Sequence, residues 1–166
     1  MIECLVGSEM CIRDSFITVS NINSTQPETV ISGNERVIRP RLADAAFFFE
    51  TDKKQRLAQL RERLKSIVFQ KQLGTVFDKT ERIASLSEGL AAALGSDASA
   101  AKQAGQLSKA DLASDMVLEF DKMQGTAGGY YASHEGLGES VAIAIAEHYL
   151  PKYAGDKVPS SPTACA

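Results

Sequence analysis

Apolar residues at intervals of three and four narrow the fold more than any other feature of the sequence. Leu57, Leu60, Leu64, Ile67 and Val68 recur at that spacing, behind an Asp52 suited to cap a helix. Lys53, Lys54, Arg56, Arg61, Arg63 and Lys65 flank the stripe and give the segment a basic face. Gly74 offers a break, after which Val76, Ile83, Leu86, Leu90 and Leu94 repeat the pattern until Gly95 closes it. Two amphipathic helices on a short connection predict an antiparallel pair. A third helical stretch follows, with Asp97 as its cap, an alanine-rich run to Gly105, and Leu107, Leu112, Met116, Val117 and Phe120 as the next apolar face.

The flanking segments are less regular. Pro27 to Ala46 has a roughly helical spacing bent by Gly33 and Pro40, which predicts two short helices rather than one. The three rings of Phe47, Phe48 and Phe49 are expected in the core. "GTAGGYYASHEGLGE" reads as a loop, with five glycines among fifteen residues. "SVAIAIAEHYL" alternates like a strand, but alanine fills its gaps and Pro151 stops it, so a buried helix is the expectation. "FITVSNI", from Phe16 to Ile22, alternates over β-prone residues and predicts a short strand, with no second strand in the chain to pair it. The expected class is all-α, mainly helical, with that one N-terminal strand left from a preceding domain.

The first fifteen residues stand apart from this pattern. "LVGSEMCIRDS" neither alternates nor recurs at three and four, and Glu3, Gly7, Ser8 and Glu9 rule out the unbroken apolar core of a secretory signal. Codons for Leu5 to Ser15 can be chosen that spell a transposase adapter used to build sequencing libraries, so residues 1–15 read as translated adapter. Setting them aside leaves 151 of 166 residues, which suits one domain. The expected division is 16–26 as strand and linker, 27–150 as a helical domain, and 151–166 as an extended, truncated connector. Cys4 and Cys11 go with the adapter, leaving Cys165, which cannot form an internal bridge and fits a cytoplasmic chain. No run approaches a membrane span, since Glu147 and His148 follow "VAIAIA" directly.

Charge is distributed unevenly. From Arg36 to Arg82 there are twelve Lys and Arg against six acids, whereas Ile83 to Ala166 carries five bases and ten acids. A basic first half is able to meet phosphate, although charged helix faces are ordinarily just solvated.

Chemical motifs are sparse. The glycines of "GTAGGYYASHEGLG" make no GxGxxG and precede no GK[ST], so a nucleotide loop is disfavoured. His134 and His148 with one cysteine do not make a recognisable zinc set, and no serine sits in a nucleophile-elbow sequence. Neither a catalytic residue nor a metal ligand is therefore assigned. Polar residues within apolar helices remain: Lys79 and Arg82 in "GTVFDKTERI", and Lys109, Asp111, Glu119 and Gln124 in "LSKADLASDMVLEFDKMQG". Structural salt links are the ordinary reading of such residues. Recognition of a phosphate backbone is the sharper one, because Lys and Arg supply charge and Arg adds a planar fork.

"VISGNERVIRPRLADAAFFFETDKKQ", "FQKQLGTVFDKTERI" and "AGQLSKADLASDMVLEFDKMQGTAGGYYASHEG" strongly resemble the β subunit of the bacterial two-subunit glycyl-tRNA synthetases. The resemblance covers nearly all of Phe16 to Ala166 and corresponds to a middle portion of a longer chain. It implies an α2β2 ligase that joins glycine to tRNAGly with ATP and magnesium through glycyl-adenylate. The class II catalytic core lies in the α subunit, and the β subunit binds and positions tRNA. Neither the adenylate site nor the anticodon-binding region is expected here, and no cofactor is expected on this portion. The α subunit, tRNAGly and a second β subunit are the implied partners.

Residues 27–150 also resemble a degenerate HD-type helical domain. Active HD phosphohydrolases hold metal with histidines and a His-Asp pair; here Asp111 matches the aspartate, but Ala110 stands where the histidine is needed. His134 and Glu135 lie where such proteins often carry another ligand cluster. The resemblance implies a metal-free scaffold reused for RNA or subunit contact. Lys79, Arg82 and Lys109 are the expected tRNA-binding residues, on charge and motif position. Two other readings remain: a stand-alone HD-type metal-dependent phosphohydrolase, and a purely structural helical module.

Overall fold

A computed structural model of the chain describes residues 16–21 and 23–166. The stretch read as adapter lies outside the described residues. Eight α-helices and one two-stranded antiparallel ribbon make up the regular structure among them, a mainly helical fold as expected. The chain divides into two units, one ending at Ala46 and one running from Phe47 to Ala166.

In the first unit no strand forms over residues 16–21, and Ile17 and Val19 lie exposed. The alternation there is real, but a strand is a paired object, and no partner strand reaches it among the described residues. The two short helices predicted around Gly33 and Pro40 are a single one: α1 runs from Pro27 to Asp52 through both. Pro40 forfeits one main-chain bond, and the turns on either side hold.

The second unit contains the core. α2 (Leu57–Arg63) ends in a 3-10 turn at Leu64–Ser66, so the apolar run predicted as one helix stops early and its last member enters a strand. That strand, β1 (Val68–Gln70), pairs with β2 (Gly74–Thr75); Gly74 takes a φ of +84° that a side chain would resist. α3 (Val76–Ala93) starts at Thr75, whose hydroxyl accepts from the Asp78 amide while Asp78 returns a bond to the Thr75 amide. α4 (Ala98–Leu107) is capped by Asp97, as the sequence predicts. There follow α5 (Asp115–Glu119), α6 (Thr126–His134), α7 (Glu139–Glu147) and the short α8 (Pro162–Cys165), which closes the predicted connector.

Leu57, Leu60, Leu107, Val117, Tyr131, Val141 and Ile145 form the main core, with Leu64, Val76 and Ala113 as a smaller cluster. The face of α3 that packs inward is not the leucine stripe. Thr80, Ala84, Ser87 and Ala91 are buried, whereas Leu86, Leu90 and Leu94 are 66%, 51% and 65% exposed. The reason is how closely α4 approaches: a methyl group placed on Gly105 would sit 2.8 Å from the Ala84 Cα, so only small residues fit the crossing. The three phenylalanines divide similarly. Phe49 stacks on Tyr131 at 5.6 Å, while Phe47 is exposed.

Residues 126–134 of the predicted glycine loop are instead α6, and only Gly125 and Glu135 to Gly138 stay non-helical. A methyl on Gly129 would lie 2.8 Å from the Ala146 Cβ and 3.0 Å from the Ala142 oxygen, so its glycines let two helices touch rather than break one.

Candidate functional site

Three acids in this unit each cap a helix remote from them in sequence. Asp52, fully buried at the end of α1, accepts from the Asp115 amide (3.0 Å), the Met116 amide (2.9 Å) and the Tyr131 hydroxyl (2.9 Å). It therefore serves the start of α5 and not, as its position suggests, that of α2. Burial, then the bond to Asp52, pushes the Tyr131 hydroxyl well above its ordinary range. Glu135 accepts from the Leu57 amide at the start of α2, next to the Arg56 amide that Gln59 takes locally, while His134 beside it is exposed.

Asp111 is the third. It sits fully buried in a 3-10 turn at Ala110–Ala113, and its Oδ2 accepts from the amides of Gly125 (2.6 Å) and Gly128 (3.2 Å) at the start of α6. Burial raises its carboxyl above the usual range, against the pull of those two amides and of Lys109. The arrangement does not fit the metal that an HD-type site would hold. Oδ2 is engaged by main chain, and only Oδ1 is left unpartnered. No group of three His, Cys, Asp or Glu able to hold an ion exists among the described residues.

These caps were readable only indirectly. α6 begins at Gly125 and α2 at Arg56, neither of which has a side chain that accepts from its own first turn, and such a helix start leaves amides for an acceptor from elsewhere.

A second cluster lies on another side of Lys109. Its Nζ donates to His148 Nε2 at 2.7 Å and stands 3.6 Å from the centroid of the Tyr149 ring, against which the imidazole also packs. His148 Nδ1 lies 2.6 Å from the Ile145 oxygen and donates to it, which leaves Nε2 as the acceptor for the ammonium. Burial, reinforced by the Lys109 charge, pushes the imidazole down to about 4. Burial and the Lys79 charge bring Lys109 down to about 8.

The three basic residues singled out in the sequence occupy different settings. Lys79, in the first turn of α3, is half-buried with its Nζ 4.2 Å over the Phe69 ring. Arg82, one turn on, is exposed. Lys109 is half-buried and faces inward to His148. Lys79 and Lys109 line one cavity of about 640 Å³, and Arg82 does not. No helix among the described residues is long and apolar enough to cross a membrane.

The family model described as glycyl-tRNA synthetase beta subunit matches residues 5–166, beginning inside the stretch read above as adapter. The chain is 56% identical over 162 residues to the glycine–tRNA ligase beta subunit of Hahella chejuensis, covering 98% of this chain and 23% of that one. It is 52% identical over 162 residues to the same-named protein of Chromohalobacter salexigens, covering 98% and 24%. That of Pseudomonas putida is 52% identical over 163 residues, again 98% and 24%. The chain thus spans about a quarter of the length of the curated relatives it matches.

Proposed function

The chain belongs to the glycyl-tRNA synthetase β-subunit family, and from that membership we propose that it is the helical tRNA-binding and assembly portion of a glycine–tRNA ligase. The whole enzyme, on this reading, uses ATP and magnesium to attach glycine to tRNAGly in the cytoplasm. Its partners are an α subunit that carries the catalytic core and a second β subunit in an α2β2 assembly. This portion supplies no catalytic group. Within the part that follows residue 15, we take 16–26 as a linker, 27–150 as the HD-like domain and 151–166 as the connector.

The observation that carries the reading is identity above one half across 98% of the chain with proteins named for that activity. Local chemistry supports it. Lys79 and Arg82 stand on successive turns of α3 at the end of the basic segment, where a phosphate backbone meets a flexible ammonium and a planar guanidinium side by side. Lys109 stands deeper, half-buried, with its ammonium on His148 and the Tyr149 ring.

Filter binding of a tRNAGly transcript over a salt series tests this. Binding is expected to weaken steeply as salt rises, and Lys79→Glu and Arg82→Glu are each expected to lower affinity without loss of helicity. Affinity unchanged by both substitutions would reject these contact residues, and a chain indifferent to tRNA would reduce this portion to a structural module.

A further inference from the structure

Phe69 is an aromatic ring with no part in the core. It is 44% exposed, belongs to neither apolar cluster, and has no second ring against it among the described residues. Its place in the ribbon explains why. Val68 pairs with Thr75 and Gln70 with Gly74, so two steps along β1 answer one along β2, and Phe69 is the extra residue of a bulge. A bulge re-aims the side chain it carries. Here the ring meets Lys79, whose ammonium stands 4.2 Å from its centroid and so occupies one of its two faces.

The surroundings are basic. From Arg61 to Arg82 there are six Lys and Arg against three acids. Each of those acids is engaged: Glu62 with Lys65, Asp78 with Thr75, and Glu81 with Arg61. Lys71, in the turn that joins β1 to β2, and Arg82, one helical turn beyond Lys79, are exposed and make no ion pair among the described residues. Arg82 acts on Asp78 only as a nearby charge. A protein surface laid on Val68, Phe69 and Leu73 would have to desolvate these cations, whereas a nucleic-acid strand brings the opposite charge with it. An exposed ring steadied from one face, with cations beside it, fits a base and its flanking phosphates.

We propose that Phe69 stacks an unpaired base of an RNA strand on the face opposite Lys79, with Lys71 and Arg82 on the adjacent phosphates. The choice of RNA rests on the tRNA reading, which this contact deepens. A duplex keeps its bases stacked on one another, so the ribbon selects an unpaired stretch.

The chain has no tryptophan, so Phe69→Trp places a single fluorophore at the site. Titrated at low salt, a single-stranded oligouridylate is expected to quench it, and an RNA duplex of equal charge to leave it nearly unchanged. Affinity for the oligouridylate, followed by the anisotropy of a labelled strand, is expected to persist in Phe69→Trp and to fall about tenfold in Phe69→Leu, the loss of one stacked base. Phe69→Leu should leave the salt dependence as it is, whereas Lys71→Gln should lessen it. No quenching, equal quenching by the duplex, or undiminished binding by Phe69→Leu overturns the proposal. Self-association of the chain that Phe69→Leu abolishes would make the ribbon an interface between copies, and overturns it as well. Binding of tRNAGly on filters with Phe69→Leu neutral would reject the stacking contact and spare the tRNA reading. Oligouridylate bound through Phe69 by a chain indifferent to tRNAGly would reject that reading and spare the contact.

Discussion

The Gly128 amide lies 3.2 Å from Asp111 Oδ2, and a methyl group on Gly128 would meet that same oxygen at 3.2 Å and the Ile145 Cγ2 at 2.9 Å. The glycine and the aspartate are fitted to each other: the missing side chain is what lets the carboxylate reach the start of α6. Gly128→Ala is therefore expected to destabilise the chain by about 1–3 kcal/mol in urea unfolding, although alanine is the better helix former. Equal or greater stability would show that the packing yields.

The bond between Tyr131 and Asp52 ties α6 to the end of α1 through a buried carboxylate. Tyr131→Phe removes one of its three donors and is expected to cost about 1–2 kcal/mol. Asp52→Ala strands two amides of α5 and the phenol together, and is expected to cost more than about 3 kcal/mol. In a double-mutant cycle the two should couple, since they share one bond. Additive losses would mean that Tyr131 is held by packing against Phe49 alone.

Protonation of His148 supplies a pH signature. Its folded value, about 4, lies below its ordinary 6.5, so between these limits the unfolded chain takes up the proton that the folded chain refuses. The unfolded state binds more protons there, and stability must fall as pH falls through that window. Lys109 and Lys79 face the imidazole and keep it neutral, whereas Asp111, with its carboxyl raised, contributes in the opposite sense. Comparison with His148→Gln isolates the effect: the variant should lose less stability between about pH 6.5 and pH 4 than the parent. Parallel urea midpoints across the window would contradict the inward placement of the ring.

Leu90 offers a contrast, since periodicity marks it as core and it lies 51% exposed. Leu90→Ser is expected to alter the stability of this chain by less than about 0.5 kcal/mol, read by thermal unfolding, whereas Leu60→Ala, fully buried, should cost about 2–5 kcal/mol. A large loss from Leu90→Ser would place the stripe in the core after all.

The difference between those two leucines shows where the sequence was legible and where it was not. Spacing identified α2 and α3 as helices, the Asp97 cap and an alanine-rich run identified α4, and alanine content identified α7 against a strand-like alternation; the cap at Asp97 acts within its own turn, where local chemistry decides. Which face of α3 turns inward depended on Gly105 on another helix, a distance that no local pattern carries. The same applies to α6, whose glycines read as a loop until Ala142, Ala146 and Asp111 are beside them. For the candidate site, the sequence supplied residue types and not orientation: Lys79, Arg82 and Lys109 are respectively half-buried, exposed, and half-buried against His148. The pairing of Lys109 with His148 joins residues 39 apart in sequence, and nothing near either one announces the other.

Asp111's place at the head of α6 commits its carboxylate to the main chain. A histidine set at the buried Ala110 would add an imidazole without liberating the aspartate. A cation that drew Oδ2 to itself would strip the main chain at Gly125 and Gly128 of its acceptor. Recruiting that oxygen and undoing the start of the helix would be the same event.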